Sequence, residues 1–114
     1  MGVELDAVDA LTRGWPSVSL RVWRSANRVN DHGGHWRTGA NALIERSNAA
    51  AIAVARARNL TIFDFEHFPG SDELRDNIHP VHSVGVTAIE AVLAAARRAA
   101  AGERAIGDIA APPR

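Results

Sequence analysis

Across residues 40–58 the apolar side chains Leu43, Ile44, Ala51, Val54 and Ala55 recur on one stripe, while Glu45, Arg46 and Arg56 face away. This spacing predicts an amphipathic helix ending near Asn59. Val3, Ala7, Ala10 and Leu11 repeat the pattern, with Glu4, Asp6 and Asp9 mostly elsewhere, and predict a shorter helix over 3–13 closed by Gly14. Ile89, Val92, Leu93 and Ala96 predict a last helix running to about Ala101. Thr87 and Glu90 have the spacing of a capping box at its start, with Ser83 as the other candidate N-cap. Between these helices the period falls to two. Val18, Leu20 and Val22 alternate with Ser17, Ser19 and Arg21 ahead of Trp23 and Arg24, which predicts a strand following Pro16. The run LTIFDF at 60–65 is short, branched and aromatic, the pattern of a strand buried on both faces, with Asp64 as its polar exception.

The order helix, strand, helix, strand, helix predicts two parallel strands joined by a right-handed crossover, a partial doubly wound, flavodoxin-like sheet in an α/β/α sandwich. Two parallel strands alone leave open edges and a small core. The chain therefore reads as part of a larger sheet, completed by further sequence or by a second copy. Residues 1–101 are assigned to this α/β unit. The remainder, GERAIGDIAAPPR at 102–114, has too little apolar periodicity to hold a position and is read as a loosely ordered tail.

Composition narrows the function classes. The 114 residues are 46% hydrophobic, with 13 acidic residues balancing 13 basic ones, all of them arginine, as expected of one globular domain near neutrality. A chain without a basic block has no electrostatic footprint for nucleic acid, and no apolar run approaches the ~18–20 residues of a membrane span. The absence of cysteine excludes disulfides and thiolate metal sites. The start, MGVELDAVDALTRG, is acidic and amphipathic rather than basic and then apolar, so it is not a signal peptide. The compartment stays open: the chain is cytosolic, or is a piece whose targeting segment lies elsewhere.

Candidate chemistry gathers in the two loops that follow the strands, the end of an open α/β sheet where ligands bind. The second loop contains RDNIHPVH at 75–82. A carboxylate three residues before a histidine in a turn can accept the imidazole Nδ1–H, which leaves Nε2 as a general base. Pro80 pushes His79 toward extended backbone and limits the directions open to its ring. The plainer alternative is that Asp76 caps a turn and His79 is an exposed loop residue. The first loop, SANRVNDHGGHWRTG at 25–39, is long for a connection, and Trp23 and Trp36 flank it as sugar-stacking faces or as packing residues. Arg24 at the strand end is placed to anchor an anionic or carbonyl group, or to pair with Asp64 or Asp76. Asn48 falls inside the helical stripe and needs partners there, so it is expected to pin a loop backbone or a site residue. His32, His35, His67, His79 and His82, with Asp31 and Asp76, offer a third chemistry, a metal site. His67 is otherwise a surface loop residue and His82 an exposed one.

The arrangement from about Val18 to Ala96, a strand and loop, a helix bearing an inward asparagine, the strand LTIFDF, then DNIHPVHSVGVTAIEAVL, resembles the C-terminal catalytic block of the SGNH (GDSL-type) ester hydrolases. WRSAN and HGGHW in the first loop are similar to the PC-esterase-like branch, whose members act on O-acetylated glycans. The resemblance implies that Asp76 is the triad acid and His79 the base, in acyl-ester hydrolysis or O-acetyl transfer on a small-molecule or glycan ester. Arg24, His35 and Trp36 are the candidate substrate contacts, and no metal or cofactor is expected. Three parts of the family pattern are missing, the block glycine of the oxyanion hole among them. The G-D-S block that carries the nucleophile is absent, and RVND at 28–31 lacks the glycine of G-x-N-D, so Asn30 is not equated with the oxyanion asparagine. None of Ser17, Ser19, Ser25, Ser47, Ser71 and Ser83 falls on a strand-to-helix elbow. A non-catalytic remnant or interaction domain of the same fold is the alternative, with a histidine-rich metal-binding domain third.

Overall fold

Alternation of side chains along the strands sorts this chain into layers. The structure, a computed structural model, describes residues 2–12, 20–31, 38–104 and 106–110. Its elements are α1 (Gly2–Thr12), β1 (Val22–Arg24), α2 (Ala40–Ala57), β2 (Thr61–Phe63), a 3-10 turn (Phe65–His67) and α3 (His82–Ala100). β1 and β2 pair in parallel, with Val22 opposite Thr61, Trp23 opposite Ile62 and Arg24 opposite Phe63. Successive side chains point to opposite faces of a strand. Ile62 and Trp23 accordingly pack with Ala55, Ile52 and Val54 of α2, while Phe63 and Val22 pack with Val84, Ala88, Ala91 and Ala95 of α3. A small parallel sheet with a helix on each face is the α/β arrangement that the periodicity predicts.

The strands are shorter than their apolar runs, three residues each, and residues 16–19 of the first run lie outside the described residues. The chain turns away after Phe63 because the aromatic side chains that follow are needed elsewhere. Phe63, Phe65 and Phe68 form one cluster, with ring centroids 5.4–5.8 Å apart. The turn that carries Phe68 fits tightly against the start of α3. Gly70 has φ +81°, and a Cβ there would sit 2.7 Å from Val84 Cγ2, so this position requires glycine on both counts.

α3 differs from expectation in its face and its start. The buried residues are Val84, Ala88, Ala91, Ala95 and Ala99, whereas Ile89 is 61% and Leu93 47% exposed. Alanine lets the helix approach the aromatic cluster closely, and the larger side chains are left on the rim. Leu43 of α2 is likewise exposed, its buried positions being Asn48, Ala51 and Ala55. The capping box does not form. Thr87 lies within the helix, its hydroxyl donating to Ser83 O, and the cap is the extended residue Val81 without a side-chain bond.

The described part of the segment read as a loosely ordered tail, 102–104 and 106–110, holds a position in the fold. Ile109 is buried in the aromatic cluster, its N–H donates to Ile62 O at 2.8 Å, and it bridges Phe63 in parallel. The tail thus covers the second edge of β2, and Asp108 forms a two-bond ion pair with Arg56 of α2. Two isolated apolar residues suffice here because a backbone edge is waiting for them.

Candidate active site

The loops at the carboxyl ends of β1 and β2 are built around the buried polar residues Ser25, Asn48, Glu66 and Ser71. Ser25 follows β1 and is fully buried. Its hydroxyl donates to Asp64 Oδ1 at 2.9 Å and accepts the Glu66 N–H at 3.0 Å, joining the two strand ends. Asn48 is 5% exposed and brackets the next residue, accepting from Ala26 N and donating to Ala26 O, and it also donates to Glu66 Oε1 at 3.0 Å. The inward asparagine therefore pins a loop backbone, as its place on the helical stripe predicts. Ser71 Oγ donates to Glu66 O, fixing the turn after the 3-10 helix.

The first loop is then tied to the D-x-x-H loop. Asn27 Nδ2 donates to Ile78 O, Asn30 N donates to Asn77 O, and the Asn30 and Asn77 side chains bond at 3.0 Å. The D-x-x-H segment is itself a tight hairpin. Leu74 and Pro80 form an antiparallel bridge, Arg75 N donates to His79 O, and Asn77 takes the left-handed conformation at φ 70°. Asparagine tolerates that region better than most residues.

Within this hairpin Asp76 has two roles. Oδ1 accepts the backbone N–H groups of Ile78 and His79, and Oδ2 lies 2.7 Å from His79 Nδ1. The backbone N–H of His79, helped by its imidazole and by Ile78, lowers the Asp76 carboxyl from 3.8 to about 2. Turn cap and histidine partner are thus the same carboxylate. His79 reaches the wall of a groove of ≈ 570 Å³ between the sheet and α3, shared with Val22, Arg24, Phe65, Ile89 and Leu93. Arg24 pairs with neither Asp64 nor Asp76. Its guanidinium lies 4.4 Å over the Phe65 ring, and partial burial lowers its pKa. His35 and Trp36 lie outside the described residues, so of the five predicted site residues Asp76, His79 and Arg24 are placed, two of them on one groove.

A second D-x-x-H pair escaped the sequence reading. Asp64 Oδ2 and His67 Nδ1 are 2.7 Å apart across the 3-10 turn, and this bond raises the His67 pKa. The signal was present in DFEH at 64–67, with the spacing that marked Asp76 and His79. His82 is exposed at the start of α3. Ser25 and Ser71 have their hydroxyls committed inside the core, and no serine among the described residues bonds to His79. Comparison with known families, with curated proteins and with solved structures finds no match to this chain.

Proposed function

We propose that the chain carries the acid and base of an SGNH-type ester hydrolase site, acting on short acyl esters such as the O-acetyl groups of glycans. The observation that supports this reading is the 2.7 Å contact between Asp76 Oδ2 and His79 Nδ1, held by a hairpin beside an apolar groove. With Nδ1–H donated to the carboxylate, Nε2 holds the lone pair that a general base needs. A hydroxyl brought to Nε2 loses its proton there as its oxygen attacks the acyl carbon, and the imidazolium returns that proton to the departing alcohol oxygen. Asp76 stabilises the transient imidazolium. Arg24, anchored over Phe65, is placed to face the carbonyl oxygen or a charged group of the substrate. The family's serine block is not among these 114 residues, and without it the nucleophile open to this pair is water, which makes a slow hydrolase.

The test is hydrolysis of a short-chain aryl acetate. His79→Ala is expected to slow it at least ~100-fold, the lower range for loss of a positioned base, while His82→Ala keeps the wild-type rate. Equal rates for wild type and His79→Ala overturn the assignment. A second reading, a protein-docking domain of the same fold, is favoured by one observation, the exposure of Ile89 and Leu93 on the groove rim. It predicts self-association in sedimentation that Leu93→Asp abolishes, with no dependence of ester hydrolysis on His79.

A further inference from the structure

The buried carboxylate of Glu66 is used only in part. Oε1 accepts from Asn48, but Oε2, on a side chain only 2% exposed, has no hydrogen-bond partner. A desolvated carboxylate oxygen without a partner is costly, and such an orphan calls for an explanation. Among the described residues the nearest charged partner is His67, whose Nε2 lies 4.0 Å away. That is too long for a hydrogen bond, which needs ~2.7–3.2 Å. It suits a pair of ligands on either side of an ion.

We infer that Glu66 Oε2 and His67 Nε2 are the protein ligands of a divalent transition-metal site, with Zn²⁺ the expected ion, and that Asp64 orients His67 from the opposite ring nitrogen. Ligand atoms of Asp64, Glu66 and His67 all lie within 4.8 Å of one another. The 2.7 Å bond from His67 Nδ1 to Asp64 Oδ2 sets the tautomer that exposes the Nε2 lone pair, the carboxylate–histidine–metal relay found around bound zinc. Asp64 Oδ1 accepts from Ser25 and Glu66 Oε1 from Asn48, while Ser25 and Ser71 hold the Glu66 backbone, so both carboxylates start from fixed positions. Zinc bonds of ~2.0–2.2 Å at a tetrahedral angle place two ligands about 3.4 Å apart, so the half-ångström closure falls to a small tilt of the His67 side chain about its Asp64 bond, on a residue 66% exposed. Imidazole with carboxylate oxygen favours zinc over magnesium or calcium, and water fills the remaining positions. This site is separate from Asp76 and His79 and does not depend on the esterase reading.

Titration of the purified chain with Zn²⁺ followed by calorimetry tests the assignment, with circular dichroism confirming that each variant is folded. The wild type is expected to bind one equivalent. His67→Ala and Glu66→Gln, the latter keeping the shape and the Asn48 contact, are expected to weaken binding at least ~10-fold, as is Asp64→Asn, in the range for loss of an orienting partner. His79→Ala is expected to bind as the wild type does. Co²⁺ substituted at the site gives a visible spectrum that His67→Ala removes, a readout that separates ligation from fold stability. Absence of stoichiometric binding by the wild type, or binding that survives His67→Ala and Glu66→Gln, overturns the inference and leaves His67 as an ion-pair partner of Asp64.

Discussion

Asp76 shows how much one short side chain can fix. Its Oδ1 closes the turn on Ile78 and His79, and its Oδ2 holds the imidazole, so backbone shape and ring tautomer share a single carboxylate. Because those bonds favour the ionised form, its folded pKa lies below its unfolded value. The stability it contributes is present above about 3.8 and is lost as pH falls through about 2. Carboxyl NMR across that window is expected to give an Asp76 midpoint near 2, and a midpoint near 3.8 would show that the hairpin bonds do not persist in solution. Asn48 belongs to the same scale. Removing it leaves a buried Glu66 oxygen without a partner and returns the partly buried Ala26 N–H and carbonyl to solvent, so Asn48→Ala is expected to cost about 1–2 kcal/mol in urea unfolding. Both residues were legible in the sequence because each broke a pattern, a polar residue on an apolar stripe and an acid three before a histidine. Asp64 and His67 were not, since a residue read as the end of a strand was not also considered as the start of a turn.

At the scale of elements, helical periodicity located α1 and α2 to within a residue or two and found the buried stripe of α2 apart from Leu43, but it found neither the start nor the buried face of α3. A 3.6-residue period reports that apolar residues share a side. It does not report that alanines win the inward side when the partner is a dense phenylalanine cluster. The final segment was misread for a related reason. Ile106 and Ile109 form no periodic pattern, and their value comes from a strand edge contributed by residues more than 40 positions earlier. Ile109→Ala is expected to destabilise the protein by roughly 2 kcal/mol or more, the low end for a buried isoleucine, and to do so in the same cooperative transition as the rest. A separate, earlier transition of the tail would contradict its place in the core.

Over the whole molecule the fold is flat. Its extents are 47 × 35 × 18 Å and its radius of gyration, 15.5 Å, exceeds the ~13 Å of a compact domain of this length. β2 is flanked by β1 on one side and Ile109 on the other, while β1 pairs only with β2 among the described residues. None of the described helices is long and apolar enough to cross a membrane. The proposal that Asp76 and His79 act as one catalytic unit, with His79 on the wall of the groove, is tested most directly by a double-mutant cycle on aryl acetate hydrolysis. If the carboxylate works only through the imidazole, Asp76→Asn slows the wild type, but adding it to His79→Ala changes nothing further. Slowing by the same factor in both backgrounds, or no slowing in either, would contradict the account.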